Sequence, residues 1–369
     1  MTHLYFHFLR FSLGLDEGRE LLDGTALRDF DWTQFYAFAQ KQTLTGLLMD
    51  GIARLPAAVA PPRSLLMEWF GMSQAIRSRN KVLNQATAFV YRKVVEAGFR
   101  CCILKGQGNA LMYPHPASRS PGDVDVWVDA SREAIRHLAR SLAEAHGRLN
   151  DESLNHIGLT LDGVVVELHS TPAFMANAVY HCRLQGWLKA NLPVQCAHRV
   201  ALPDGVGEVA VPTAEFNAVY QLCHLYHHYF YEGVGLRQVV DYGLVIQQLL
   251  SSASSEKLMG IRRDMRRMGL WNFASAMMYV LHEVFGTPAE RLVAPMDAKR
   301  GKLLLDEILR GGNFGRYDAR HSFGSSRVGH NLQRLCRDLR FLRYYPAESL
   351  SEPLFRVWHF WWRKRHGNG

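Results

Sequence analysis

Hydrophobic residues recur at helical spacing over two long stretches near the start of the chain. The first covers residues 32–55 and the second residues 64–97, and Gly98 follows the second directly. Apolar residues at this spacing indicate an amphipathic helix, and glycine is common just past a helix end. The pattern therefore predicts an N-terminal helical segment over residues 1–89, whose last helix continues into the next segment.

Short apolar runs and one helical pattern alternate in the middle of the chain. The predicted elements are strands at 101–104, 124–128, 156–161 and 164–169 and a helix at about 132–145. Asp129 or Ser131 is placed to cap that helix, and Asp162-Gly163 is a strong signal for a two-residue β-hairpin. We therefore predict a small mixed sheet with flanking helices, an α/β domain over residues 90–200.

The pattern after residue 212 is almost entirely helical. The candidate helices are 214–231, 236–251, 255–268, 271–285 and 297–310. A Pro- and Gly-rich stretch at 203–212, read as a short hairpin or linker, precedes them, and a Gly-, Arg- and Ser-rich stretch at 311–329 follows. The expected fold is α+β, with a mostly helical C-terminal domain over residues 201–310 and a basic, aromatic-rich extension over residues 311–369.

Composition is that of an ordinary globular protein, because 48% of the 369 residues are hydrophobic and no apolar run reaches the length of a membrane span. The apolar start, residues 4–15, is interrupted by His7 and Arg10 and lacks a cleavage site. The six cysteines show neither disulfide nor zinc-site spacing, so we expect buried free thiols. The sequence thus favours a soluble, cytoplasmic protein without a transmembrane segment.

Positive charge is concentrated in the last third of the chain. Residues 256–369 contain 21 Lys and Arg against 11 Asp and Glu, a net charge of +10, whereas the whole chain carries +9. A basic third suits a polyanion such as RNA, a nucleotide-linked substrate or an anionic membrane, and a solvated helical surface is the alternative. The Trp- and Arg-rich tail, residues 354–365, permits base stacking or membrane contact, but packing on the helical domain is the simplest interpretation.

Two carboxylates in a predicted strand are the most specific chemical signal. Asp123 and Asp125 are two residues apart, so their side chains project from the same face of a strand. Such a pair is costly without a cation, and hard oxygen ligands suit Mg²⁺, with Mn²⁺ as the alternative. Glu167 offers a third carboxylate, and three of them can hold two cations beside a transferring phosphoryl group. An ordinary solvated Asp pair at a strand edge is the alternative interpretation.

The order of motifs around this pair resembles that of a known family. The motifs are Ile103-Leu104-Lys105-Gly106, Tyr113-Pro114, Arg119, the run GDVDVWV at 122–128, and Glu167-Leu168-His169. Over residues 32–241 the chain looks like the uncharacterised bacterial nucleotidyltransferase family of the polymerase-beta-type superfamily. The resemblance implies a Gly-containing loop at Gly106, an acidic pair at Asp123 and Asp125, and a third acid. That third acid would be Glu167.

The same resemblance implies a magnesium-dependent nucleotidyltransferase. It would move a nucleoside monophosphate from an NTP, with ATP expected, to an acceptor and release pyrophosphate. The resemblance leaves a small molecule, a peptide and RNA as alternatives for the acceptor. Two alternatives are phosphoryl transfer on the same site, and a catalytically weak nucleotide- or RNA-binding module that uses the basic C-terminal third. The acidic triad argues against the second, because a module without catalysis has no need of three mutually repelling carboxylates.

Five further residues are candidates for substrate contacts. Lys105 and Arg119 lie where they could contact phosphate oxygens, and a structural salt bridge to one of the aspartates is the alternative for Arg119. His169 is expected beside the third carboxylate, where it could transfer a proton, orient substrate or hydrogen-bond the acidic cluster. Arg237 and Asp241 are candidate substrate-side residues because the resembled family has a similar pair, and an ion pair between them is the alternative.

Overall fold

The N-terminal helices and the helices after residue 213 share one hydrophobic core in the computed structural model, which describes residues 2–318 and 339–366. The helices are α1 (Thr2–Ser12), α2 (Arg19–Leu22), α3 (Trp32–Lys41), α4 (Thr45–Ile52), α5 (Arg63–Glu96), α6 (Gly106–Ala110), α7 (Arg132–His146), α8 (Ala178–Ala197), α9 (Ala214–Tyr231), α10 (Leu236–Ser252), α11 (Ser255–Arg267), α12 (Trp271–Phe285), α13 (Ala298–Gly311) and α14 (Pro346–His366). Within this core, Phe8 of α1 packs edge-on against Phe35 of α3, with ring centroids 5.0 Å apart. Helix α1 also packs against α12, so the first and last parts of the core stabilise each other.

Two helices, α3 and α4, cover the predicted stretch 32–55, and Thr43 between them has a φ of 53°. Gln42 at this break is fully buried. Its Nε2 donates to the carbonyl oxygen of Ile308 at 3.1 Å, and its Oε1 accepts from the backbone N–H of Leu236 at 2.9 Å. The break in the helical pattern therefore fixes the N-terminal helices to α10 and α13.

A mixed sheet forms the middle of the chain, as predicted, and it has five strands rather than the four predicted. Its strands are β1 (Cys101–Leu104), β2 (Val124–Val128), β3 (Gly147–Glu152), β4 (His156–Leu161) and β5 (Val164–His169). Their order is β1-β2-β5-β4-β3, and all neighbours are antiparallel except β2 and β5, which are parallel. Val90 of α5 and Ile135 of α7 pack with the strands in a second hydrophobic cluster. Strand β3 was not predicted, because its sequence GRLNDE is almost entirely polar.

The turn and the helix cap around β4 and β5 follow from local sequence. Asp162 and Gly163 have φ values of 46° and 76°, and positive φ at both positions is the backbone of a two-residue hairpin. Helix α7 begins after Ser131, whose side chain accepts a hydrogen bond from a backbone N–H of the first turn. Ser131 is therefore the cap, whereas Asp129 pairs with Arg100.

The predicted elements of the C-terminal half are confirmed as far as they are described. A short hairpin of β6 (Arg199–Ala201) and β7 (Glu208–Ala210) precedes the helices α9 to α13. In α14, Phe355 stacks on Phe174 with ring centroids 5.2 Å apart. Trp358, Phe360 and Trp361 of the same helix are about half exposed, so the tail packs through one face and leaves the other open.

Two predictions concern residues that the structure does not describe, namely residues 319–329 of the Gly-, Arg- and Ser-rich stretch and Cys336. The other five cysteines are free thiols, of which Cys101, Cys102 and Cys223 are buried as predicted, whereas Cys182 is exposed and Cys196 is only partly buried. Within the described ranges no helix is both long and apolar enough to cross a membrane.

Candidate active site

The strand pairing assembles one group of acidic and imidazole side chains. The parallel register of β2 and β5 sets Asp125 beside Glu167, and the antiparallel register of β4 and β5 sets His156 beside His169. Paired residues project from the same face of a sheet, and so do residues two apart in one strand. All four side chains therefore lie on one face.

The three predicted carboxylates form a cluster on this face. Oxygen atoms of Asp123, Asp125 and Glu167 lie within 4.8 Å of one another. Asp125 is buried, Glu167 is partly buried and Asp123 is exposed. Repulsion from the neighbouring Asp125 carboxylate is the main cause that raises the pKa of Asp123 to about 6. Three hard oxygen donors that repel one another fit a divalent cation such as Mg²⁺.

Asp125 is held as a carboxylate by two cationic neighbours. Its Oδ2 lies 3.1 Å from Nζ of Lys105, and its Oδ1 lies 2.9 Å from Nε2 of His169. Burial alone would raise the pKa of Asp125, but the ammonium and the imidazole hold it well below its usual value. Burial would likewise lower the pKa of His169, but its hydrogen bonds to Asp125 and Glu167 raise it to about 9.

Lys105 sits in a strained turn between β1 and α6. Its φ of 46° and ψ of −132° belong to a backbone region that side chains other than glycine rarely adopt. Gly106 follows with a φ of 37°, and a Cβ atom there would lie 3.3 Å from the carbonyl oxygen of Asp123. The turn thus needs glycine at 106, and it directs the Lys105 ammonium to the carboxylates.

A chain of polar contacts continues from Lys105 along α9. Nζ of Lys105 lies 3.2 Å from Nε2 of His224, which lies 2.8 Å from Nε2 of His228. Nδ1 of His228 then lies 2.8 Å from a carboxylate oxygen of Glu232. Burial and the Lys105 ammonium hold the pKa of His224 well below its usual value, so its neutral ring accepts from Lys105. The contacts from Lys105 to His224 and His228 were not predicted from the sequence. The spacing of four residues between the two histidines, which places them on one face of a helix, is the sequence feature that could have indicated them.

Arg119 forms a buried ion pair instead of facing the carboxylate cluster. Its Nε and one terminal nitrogen donate to the two oxygens of Asp241 at 2.8 and 2.7 Å. The hydroxyl of Tyr113 donates to the same carboxylate at 2.7 Å. The structural salt bridge left open from the sequence is therefore formed, but with Asp241 rather than Asp123 or Asp125. Asp241 is correspondingly not paired with Arg237.

Arg237 lies beside the segment that leads into β2. One terminal nitrogen donates to the carbonyl oxygen of Ser120 at 3.2 Å. The same nitrogen is close to Gly122, since a Cβ atom added to that glycine would lie 3.7 Å from it. Its Nε is buried and has no hydrogen-bond partner within the described part of the chain. Burial, and then repulsion from Arg119, lowers the pKa of Arg237. This guanidinium therefore has donor capacity left next to Asp123.

The mixed sheet, with a glycine turn after β1 and acidic residues on the parallel neighbours β2 and β5, is of the nucleotidyltransferase type. Residues 28–286, more than half of the chain, match the model of a family described as uncharacterised nucleotidyltransferase. The protein belongs to this family.

Comparison with solved structures gives a weak likeness at low sequence identity. The crystal structure of an antigenic nucleotidyltransferase-like protein from Paracoccidioides brasiliensis is 16% identical in sequence and aligns with a TM-score of 0.37. The alignment covers 59% of this chain and 94% of that one. No curated protein matches the sequence.

Proposed function

We propose that the protein transfers a nucleoside monophosphate from an NTP, with ATP expected, to an acceptor hydroxyl. The acceptor oxygen would bond to the α-phosphorus, the bond from that phosphorus to the β-phosphate bridging oxygen would break, and pyrophosphate would leave. The observation that carries this proposal is the cluster of Asp123, Asp125 and Glu167 on one face of the sheet, with Lys105 against it.

The residues of the cluster would divide the work. Asp123, Asp125 and Glu167 would hold Mg²⁺, which supplies charge neutralisation of the phosphates when bound. Glu167 is partly exposed, which leaves it able to accept the proton of the acceptor hydroxyl. Lys105 and the Gly106 turn would position phosphate oxygens beside the carboxylates.

Arg237 takes the place of Arg119 as the second phosphate-binding cation in this proposal. Its guanidinium keeps donors beyond the Ser120 contact and lies next to Asp123, whereas both nitrogen donors of Arg119 that face Asp241 are occupied. A guanidinium with open donors binds phosphate through charge-assisted hydrogen bonds. The buried ion pair between Arg119 and Asp241 would then have a structural role, because it fixes the position of α10 and therefore of Arg237 beside the site.

Two other functions use the same residues. Phosphoryl transfer would release a nucleoside diphosphate instead of pyrophosphate, so the released product distinguishes it. A binding module that works through the basic C-terminal third would bind nucleotide or RNA without a divalent cation. The mutual repulsion of the three carboxylates favours a cation-dependent function over that module.

The test is calorimetric titration of ATP, GTP, CTP and UTP into the full-length protein, with and without Mg²⁺, followed by assay of pyrophosphate and nucleoside diphosphate. The variant is Asp123→Asn, because Asp123 is exposed and its loss should leave the fold intact. Asp162→Asn is the matched control, since it makes the same change at the far end of the β4–β5 hairpin and asparagine tolerates positive φ.

We expect at least one NTP to bind only with Mg²⁺ to the wild type and to Asp162→Asn, and to bind Asp123→Asn at least about tenfold more weakly. Release of pyrophosphate on addition of an acceptor would then support nucleotidyl transfer. Absence of NTP binding in every condition, or equal binding to Asp123→Asn, would remove the proposal.

A further inference from the structure

Two histidines adjoin the carboxylate cluster on the same face of the sheet. Nδ1 of His156 and Nε2 of His169 each lie 3.3 Å from the same oxygen, Oε2 of Glu167. The two rings are cross-strand neighbours with centroids 5.1 Å apart. One ligand atom from each of His156, Glu167 and His169 lies within 4.8 Å of the others, so Glu167 belongs to two groups that could hold a cation.

The separations in this second group match those of atoms around one metal ion. Metal bonds of about 2.0 to 2.2 Å place adjacent ligand atoms about 3.0 to 3.5 Å apart in octahedral or tetrahedral geometry. The two contacts to Glu167 measure 3.3 Å, and Nε2 of His169 lies 2.9 Å from Oδ1 of Asp125. Oγ of Ser153 lies 3.0 Å from Nδ1 of His156 and adds an oxygen on that side. Little movement would be needed for these atoms to surround a cation, which would displace the proton that Nε2 of His169 donates to Asp125.

The chemistry of the donors separates this group from the acidic one. Asp123 and Asp125 with Glu167 offer oxygen alone, which suits Mg²⁺. His156 and His169 with Glu167 offer two imidazole nitrogens and one oxygen, and imidazole favours first-row transition metals over Mg²⁺. The two positions would share Glu167, as carboxylates do in sites with two cations.

We propose that His156, Glu167 and His169 form a second cation site that binds a divalent transition metal such as Mn²⁺, next to the Mg²⁺ position of the acidic cluster. This inference rests on the proposed function only in that both positions use Glu167. It makes the two histidines metal ligands rather than groups that merely hydrogen-bond the acidic cluster.

The test uses Mn²⁺ itself as the probe, in pulsed electron paramagnetic resonance of the full-length protein without nucleotide. Nitrogen nuclei of coordinated imidazole couple to Mn²⁺, whereas oxygen ligands give no such coupling. Spectra would be recorded for the wild type, His156→Asn, His169→Asn and both changes together. His137→Asn is the matched control, because His137 is an exposed histidine of α7 outside the site. Calorimetric titration of Mn²⁺ in excess Mg²⁺ would give the affinity.

We expect two coupled nitrogens in the wild type and in His137→Asn, one in each single variant and none in the double variant. Each single variant should weaken Mn²⁺ binding at least about tenfold, while excess Mg²⁺ should leave wild-type Mn²⁺ binding nearly unchanged. A wild-type spectrum without nitrogen coupling at every Mn²⁺ concentration, or nitrogen-coupled Mn²⁺ that Mg²⁺ displaces freely, would overturn the second site. Mg²⁺-dependent NTP binding that persists alongside that result would leave the proposed function standing.

Discussion

Nζ of Lys105 lies 3.1 Å from Oδ2 of Asp125, and Nε2 of His169 lies 2.9 Å from the other oxygen of that carboxylate. Without a bound metal, two side-chain cations therefore already offset the charge of Asp125. Asp123, two residues earlier, forms no ion pair within the described residues, and repulsion from Asp125 raises its pKa to about 6. Two aspartates of one motif should consequently affect stability in opposite directions.

Asp125→Asn should destabilise the metal-free protein by about 3–5 kcal/mol, because it leaves Lys105 and His169 without their buried counter-charge. Asp125 has a lowered pKa, so its contribution is present above its unfolded value near 3.8 and is lost as pH falls through its folded value. His169 has a raised pKa, so the stabilisation that its charge contributes is fully present below about pH 6.5. That stabilisation is lost as pH rises through about 9.

Thermal or urea unfolding of wild type and Asp125→Asn at several pH values checks this prediction. The difference in the free energy of unfolding between wild type and Asp125→Asn should be largest between about pH 4 and 6.5. It should shrink toward pH 9 as His169 loses its proton, but it should not vanish, because Lys105 remains charged there. A difference that does not change with pH would contradict the assignment of His169 to Asp125.

Asp123→Asn should raise the Tm of the metal-free protein near neutral pH. A carboxyl whose pKa is raised in the folded state binds its proton more tightly there than in the unfolded state. Wild-type stability therefore falls as pH rises from about 4 to 6, and the asparagine removes this cost. Melts in EDTA at pH 4.5 and 7.5 should show the larger gain at pH 7.5, and equal gains would argue against repulsion between the two aspartates.

Lys105→Gly should be more stable than Lys105→Ala. Both variants lose the ammonium, but only glycine adopts a φ of 46° with a ψ of −132° without strain. Strain of this kind costs about 1–3 kcal/mol, so the two should differ by roughly that amount in urea unfolding. Both should bind NTP more weakly than the wild type to a similar degree, because binding depends on the lost charge and not on the strain.

Arg119→Met should destabilise the protein by about 3–5 kcal/mol, because it leaves Asp241 buried without its charge partner. The double change Arg119→Met with Asp241→Leu should cost less than the two single changes added together. Arg100→Met is the control, since the Arg100–Asp129 pair is largely exposed and should contribute less than about 1 kcal/mol. Unfolding in urea measures the stability of Arg119→Met, Asp241→Leu, the double variant and Arg100→Met. If the losses of the two single variants at Arg119 and Asp241 add up to the loss of the double variant, the two side chains do not form a direct ion pair.

Arg237→Met should weaken NTP binding by at least about tenfold, as expected for loss of a charge-assisted hydrogen bond to phosphate. Inorganic triphosphate should lose affinity by a similar factor, because the contact is to phosphate and not to the base. The exposed Arg140→Met is the charge-matched control for titration. A loss confined to NTP, or seen equally in Arg140→Met, would argue against a phosphate contact at Arg237.

Much of the fold follows from local patterns. The Asp162-Gly163 hairpin, the Ser131 cap and the helices after residue 213 depend on backbone preferences and on apolar spacing, which a single sequence carries. Strand β3 was missed because its polar residues carry no alternation, and only pairing with β4 makes it a strand. The break at Gln42 depends on partners more than 190 residues away.

The sequence by itself located the acidic pair, because Asp125 lies in β2 and Asp123 directly precedes that strand, and a spacing of two residues in extended backbone places both side chains on one face. Only the tertiary structure decided which charges meet. The parallel pairing of β2 with β5 places His169 beside Asp125. The packing of α10 places Asp241 in an ion pair with Arg119 rather than with Arg237. Ion pairs and metal sites depend on distances of a few ångströms between distant segments, and these distances are set by how sheet and helices pack.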